Sequence, residues 1–153
     1  PVLADTNGSA IENFSCVIYN VSLMNCTWQA GMDAPGDAQY GLYWRNSRND
    51  DVVECGLYIK DEEGRHMGCA FQDVTIGTDQ AYFLVNGSSK DAVIQDYDTC
   101  LYLHEIENLM PPSNITVSCD EIKPDCVFRW QRPRISHSDL DKCFKYEINI
   151  QSE

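Results

Sequence analysis

The sequence is short of cations. Its 11 Lys and Arg face 24 Asp and Glu, for a formal charge of -13. Such a surface repels phosphate backbones and anionic lipid, which excludes nucleic acid and membrane surfaces as partners. It also lacks any run of eighteen apolar residues, so no segment within it spans a membrane as a helix. The three histidines, His66, His104 and His137, stand on separate segments, and no Cys-x-x-Cys occurs; a zinc site or a dithiol redox site needs such clusters. There is no Gly-x-Ser-x-Gly elbow and no Gly-rich phosphate cradle. Asp61-Glu62-Glu63 sits in a turn beside Lys60 and Arg65, where solvated charge is the default and acid–base chemistry the exception. The expectation is a chain with no catalytic residue, no metal, no cofactor and no small-molecule substrate. No secretory leader pattern stands at Pro1; the expectation is that a leader was removed, and that a spanning segment can follow a chain cut at Glu153.

What is present points to an oxidising, glycosylating compartment. Eight cysteines and six Asn-x-Ser/Thr acceptors (Asn7, Asn13, Asn20, Asn25, Asn86 and Asn114) suit a secreted chain or an ectodomain at the cell surface. Asn7, Asn13, Asn20, Asn86 and Asn114 are the glycosylation candidates. Asn25 is set aside because Cys26 must fold inward and bridge. The acidic balance has two readings: plain solubility, and steering of a partner with a basic face.

No stretch carries a helical repeat. Short segments rich in aromatic and β-branched residues recur instead: 11–19, 23–29, 40–45, 52–59, 66–71, 81–85 and 100–106. Turn-forming clusters separate them, among them Ala30–Asp37, Asn46–Asp51, Asp61–Gly64, Gly77–Asp79 and Asn86–Ser89. Seven strands at this spacing describe an all-β, fibronectin type III-like antiparallel sandwich of about 100 residues. It is expected over residues 11–109, behind an N-terminal extension over 1–10. Met110-Pro111-Pro112-Ser113 then fixes an extended linker with no proline amide to donate. Beyond it, 114–118, 126–131 and 144–150 read as three more strands, too few to close a sandwich. Residues 114–153 are therefore expected to be a partial second domain.

Cys16 and Cys26 fall on consecutive predicted strands, and Cys55 and Cys69 bracket the turn at Asp61–Gly64. Residues facing across a hairpin come within disulfide reach, so the expectation is two hairpin bridges. Each is worth about 3 kcal/mol in the chain-entropy picture. Trp28, two residues past Cys26, shares its face and is expected beside the bridge in the core.

With these residues in hand the chain resembles a known family. The pairs Cys16/Cys26 and Cys55/Cys69, with Cys26-Thr27-Trp28, look like the two-bridge signature of the class I haematopoietic cytokine receptors. Asn13–Asn20, Leu23–Trp28, Asp33-Ala34-Pro35, Gly64–Phe71, Tyr82–Gly87 and Pro111–Val117 resemble the alpha-chain group that binds granulocyte-macrophage colony-stimulating factor (GM-CSF) and interleukins 3 and 5. Tyr43 with Arg45-Asn46-Ser47, Tyr82–Val85 and the Cys119 to Cys126 spacing look most like the GM-CSF-binding members. Val85–Lys90, Leu103–Ile106 and Cys143–Glu147 look like the interleukin-5-binding members.

The resemblance implies a binding chain that holds a four-helix cytokine at an elbow between two fibronectin-like domains and recruits a shared beta receptor subunit. GM-CSF is the first ligand to expect. The alternatives are an interleukin-5, interleukin-3 or interleukin-13 receptor alpha-type chain, a decoy or viral cytokine-binding protein, and an adhesive fibronectin-type module. Carried onto this chain, the elbow is Leu109–Ser113, including Met110. The first domain offers Gln72, Asp73, Val74 and Thr75, and the second offers Arg132, Arg134, Ser136 and His137. A Trp-Ser-x-Trp-Ser box is expected beyond Glu153. Asn49-Asp50-Asp51, near Arg45 and Arg48, departs from the more basic relatives and implies a different cytokine surface.

Of the remaining cysteines, Cys119 and Cys126 flank the turn Asp120–Asp125 and are expected to pair. An extended run from Cys100 to Pro111 covers some 35 Å at about 3.3 Å per residue, so a Cys100–Cys143 bridge is not expected. Cys100 is read as free or bridged to another chain. The resemblance suggests that Cys143 pairs with a cysteine in the rest of the second domain. His104 is read as a surface residue of the last strand of the first domain.

Overall fold

Between Leu23 and Gln29 (β3) alternate side chains turn inward: Met24, Cys26 and Trp28 are buried while Thr27 and Gln29 face water. A strand with period two does this wherever one face of its sheet is covered. The computed structural model describes residues 5–6, 8–48, 50–77, 79–136 and 141–151. The chain divides into two units, Pro1–Asn108 and Leu109–Glu153.

In the first unit, β2 (Glu12–Tyr19), β3, β7 (His66–Phe71) and β6 (Tyr58–Lys60) form one four-stranded sheet in the order β2-β3-β7-β6. The second is β10 (Tyr97–Tyr102), β8 (Gln80–Ser88), β4 (Gln39–Arg45) and β5 (Val53–Glu54), in the order β10-β8-β4-β5. All ladders within both sheets are antiparallel. Ile18, Met24, Trp28 and Phe71 of one sheet meet Tyr40, Leu42, Phe83 and Val85 of the other in a single core. Aromatic pairs cross between the sheets: Phe14 and Phe83 at 5.8 Å between ring centres, and Trp44 and Phe71 at 4.9 Å. Close pairs of this kind add about a kcal/mol beyond area burial. The unit is a fibronectin type III-like sandwich.

Several expected elements change. The run 52–59 is not one strand: β5 lies on the edge of one sheet and β6 on the edge of the other, with Cys55 in the crossover between them. The Cys55–Cys69 bond exists, but it is not a hairpin staple. Cys69 faces Tyr58 and Cys26 in its own sheet, whereas the Cys55 amide donates to the Leu42 carbonyl of the other sheet at 2.9 Å. The bond therefore ties sheet to sheet, across a Cα separation of 6.1 Å. Cys16 and Cys26 do face one another across a hairpin, 4.0 Å apart.

The segment predicted over 100–106 ends as a strand at Tyr102, and Leu103–Glu105 is a 3-10 turn that drops Leu103 into the core. His104 is half-buried there, its ring 5.7 Å from Tyr102 and its Nδ1 buried without a partner among the described residues. It is not the surface residue expected. Two short strands, β1 (Asp5–Thr6) and β9 (Val93–Ile94), pair in parallel. Two residues carry too little pattern for period to show.

Among the described residues of the second unit there is one antiparallel hairpin, β11 (Ser113–Cys119) with β12 (Cys126–Gln131), closed by the Cys119–Cys126 bond. The strand predicted over 144–150 does not form. That segment follows a 3-10 turn at Asp141–Cys143 and lies in no ladder. Its alternation is spent on ring packing, Tyr146 lying 5.0 Å from Trp130. Alternation supplies a face, but a strand also needs a neighbour to pair with.

Candidate functional site

The loop after β7 begins where Phe71 leaves the ladder, and three contacts fix it. The Val74 amide donates to the Ser22 carbonyl at 2.9 Å. Asn46 Nδ2 donates to the Thr75 carbonyl at 3.0 Å. Val74 itself is 7% exposed and part of the core, so it serves as the loop's anchor. Its neighbours Gln72, Asp73 and Thr75 are exposed, and Asp73 adopts a left-handed conformation, φ 55°. A loop with one buried plug and two backbone tethers presents its outer side chains in a fixed arrangement.

Gln72–Thr75 line a concavity of about 250 Å³ together with Trp44, Asn46, Asp50, Asp51 and Val53. Carboxylates from two loops thus share one hollow with an aromatic wall, a setting that suits a basic side chain. Among the described residues no group of His, Cys, Asp or Glu is placed to hold a metal ion. The tether at Ser22 comes from the tight turn between β2 and β3. The Ser22 amide donates to the Asn20 carbonyl at 2.9 Å, with Asn20 at φ 49° and Val21 at φ 74°. This is a γ-turn of the strained hand, and a β-branched residue at positive φ is an outlier that costs about 1–3 kcal/mol.

A second hollow, of about 540 Å³, opens on the outer face of the β10-β8-β4-β5 sheet between Arg45, Arg48, Asp79, Gln80, Tyr82, Cys100 and Tyr102. Arg45 lies over the Tyr82 ring at 5.6 Å. Burial, then the Asp98 carboxylate that its hydroxyl reaches at 3.5 Å, raises Tyr82 above the ordinary tyrosine range. Cys100 is exposed and unpaired among the described residues. Nearer the β5 edge, the Tyr58 hydroxyl accepts from the Leu42 amide at 2.9 Å and donates to Glu54 at 3.0 Å. Burial foremost, with Glu54 adding to it, pushes Tyr58 up to about 12.

In the second unit Arg132 is already engaged. Its Nη1 meets Asp141 Oδ1 at 2.8 Å and its guanidinium lies 5.7 Å from the Phe144 ring centre. Arg134 and Ser136 are exposed and Met110 is half-buried. His137, expected beside them, lies outside the described residues, as does the acceptor Asn7.

The other glycan acceptors differ sharply in presentation. Asn13 and Asn114 are exposed at φ 55° and φ 51°, with their Nδ2 atoms donating to Gln29 at 2.8 Å and Gln131 at 2.6 Å. Asn86 is half-buried within β8, its Oδ1 beside the space that a side chain at position 41 would need. Asn25 holds a buried Oδ1 with no partner among the described residues. Asn20 is exposed on the γ-turn. Sequence reading reached the loop Gln72–Thr75 but not its supports, Ser22 and Asn46. Asn20-Val21-Ser22 does stand out as a polar turn; that its carbonyl reaches across to Val74 is a tertiary fact with no local signal.

The sequence model of the family described as "Interleukin-6 receptor alpha chain, binding" matches residues 13–106. The chain is 37% identical to the human interleukin-5 receptor subunit alpha over 98% of its own length and 35% of that protein's. It is 30% identical to the mouse granulocyte-macrophage colony-stimulating factor receptor subunit alpha, over 95% of its length and 36% of that protein's. It is 29% identical to the dog interleukin-13 receptor subunit alpha-2, over 94% and 36%. The chain thus spans about a third of the length of the curated relatives it matches. The stapled sandwich, the anchored loop after β7 and these matches agree, and the chain belongs to the class I cytokine receptor alpha chains.

Proposed function

We propose that the chain is the extracellular cytokine-binding portion of a receptor alpha chain, holding a helical cytokine at Leu109–Ser113 for assembly with a shared beta signalling subunit. The observation that carries this reading is the loop Gln72–Thr75. It is pinned by Val74, Ser22 and Asn46 and lines a hollow with Asp50 and Asp51. The formal charge of -13 gives the chain a field that speeds encounter with a basic partner face. Arg134, Ser136 and His137 supply the contact from the second unit, with Arg132 held back by Asp141. The relative named for interleukin-5 shares 37% identity and the one named for GM-CSF 30%, so both ligands stand at the front.

The test is surface-plasmon binding of the full glycoprotein ectodomain to immobilised GM-CSF, interleukin-5, interleukin-3 and interleukin-13 at low and high salt. Selective binding to one of them, with an association rate that falls as salt rises, is the expected result. Asp73→Lys is expected to slow that association several-fold. Silence toward all four cytokines overturns the reading.

A further inference from the structure

We infer that Asn20 carries a glycan standing against the Gln72–Thr75 loop, which sets how fast a ligand reaches that loop. The ligand part rests on the proposed function; the placement of the glycan does not. Among the described acceptors, the Asn13 and Asn114 amides are engaged by glutamines, Asn86 is half-buried in a ladder and Asn25 is sunk against its strand neighbours. Asn20 is exposed and sits on a turn. Its sequon is Asn20-Val21-Ser22.

The same three residues hold the loop. Ser22 supplies both the hydroxyl of the sequon and the carbonyl that accepts from the Val74 amide at 2.9 Å. One hydrogen bond thus separates the modified turn from the residues next to Asp73 and Thr75. The exit of the first unit is at this end too, since the Asn108 amide donates to the Ile18 carbonyl and the Ile18 amide to that of Ile106. The strained φ of Val21 is an observed outlier at this position, of the kind that surrounding structure retains at working surfaces.

The modification balances simply. Asn20 Nδ2 forms a bond to C1 of the first sugar, the C1–O bond to a lipid pyrophosphate donor breaks, the pyrophosphate leaves as an anion, and Nδ2 gives up one proton. A branched polar chain at this point sweeps the approach to the loop without touching its anchors. A ligand displaces it from the same volume while docking and while bound, and the lost freedom of the chain is therefore felt in association.

The test uses the glycoprotein secreted from animal cells. Peptide mapping after deglycosylation in heavy-oxygen water is expected to show Asn20 occupied. Asn20→Gln and Ser22→Ala both remove the sequon, while Val21→Gly keeps it and eases the turn. Carbodiimide labelling of the Asp73 carboxylate needs no cytokine: it is expected to run several-fold faster in Asn20→Gln and Ser22→Ala, and at the parental rate in Val21→Gly. Trimming glycans from the folded parent is expected to reproduce the faster labelling, and to change nothing in Asn20→Gln. With the cytokine that binds the parent, both sequon-removing variants are expected to associate several-fold faster. An unoccupied Asn20, or parental labelling in both sequon-removing variants, overturns the inference. A parent that binds none of the cytokines while the labelling difference holds overturns the proposed function alone.

Discussion

Hairpin β2–β3 of the first unit and hairpin β11–β12 of the second start from the same local device. In each, an asparagine at positive φ sits where the register slips, between Glu12 and Ser15 or between Ser113 and Thr116. Its amide reaches across to a glutamine at the end of the partner strand, Gln29 or Gln131. Further along, two cysteines face each other with Cα atoms 4.0 Å apart. The surroundings differ. Strand β3 pairs on its other side with β7 and lies under a second sheet, so Met24 is 0% exposed; on β12, Val127 is 51% exposed. Bulge, clasp and bridge are thus local properties of a hairpin, whereas burial, and the stability it gives, comes from what packs against it.

The largest test of that contrast truncates one apolar residue in each hairpin. Met24→Ala is expected to cost the first unit about 3 kcal/mol in urea unfolding, and Val127→Ala less than about 0.5 kcal/mol; equal costs would erase the distinction. Next come the bridges. Replacing Cys55 and Cys69 with alanine is expected to cost about 3 kcal/mol, and replacing Cys119 and Cys126 about 2 kcal/mol, by loop length. A further loss at Cys55 and Cys69 would mark the sheet-to-sheet tie as more than loop closure. Asn13→Ala and Asn114→Ala should each cost about 1 kcal/mol, for the lost clasp and the strained φ. If only Asn13→Ala is felt, the device is not local after all.

The effect most confined to high pH belongs to Tyr58. The fold favours its neutral form, so this contribution is whole below pH 10.0, the unfolded value, and is lost as pH rises through about 12. In an ultraviolet tyrosinate titration, Tyr58→Phe is expected to delete the transition near pH 12. At pH 7 the same variant should cost about 1 kcal/mol, for the Leu42 amide left without its partner.

Much of this was legible in the residues. Alternation placed β2, β3, β4, β7 and β8 to within a few residues, and cysteine spacing gave the three bridged pairs. What escaped depended on partners. Val52–Ile59 has the composition of one strand, but nothing within it shows that β5 and β6 serve different sheets, and so Cys55–Cys69 read as a hairpin staple. Phe144–Ile150 has strand composition and no ladder. At the candidate site the loop Gln72–Thr75 came from the family resemblance. The inward turn of Val74, the tethers from Ser22 and Asn46 and the engagement of Arg132 by Asp141 required the fold. The resemblance pointed first to GM-CSF, while both GM-CSF and interleukin-5 receptor alpha chains stand among the matches.

The tie between Cys55 and Cys69 also bears on the chain as a rope. Pulled from its ends, a sandwich lengthens as its strands peel and their contour is released. The 14-residue separation closed by this bond withholds roughly 50 Å of that contour, at about 3.5 Å per residue. Strands β6 and β7 up to Cys69 lie within the withheld length, so tension bypasses them through the sulfur atoms until the bond is reduced. Under oxidising conditions a single-molecule stretching trace should therefore be shorter by about that length than the trace of the same chain with alanine at Cys55 and Cys69.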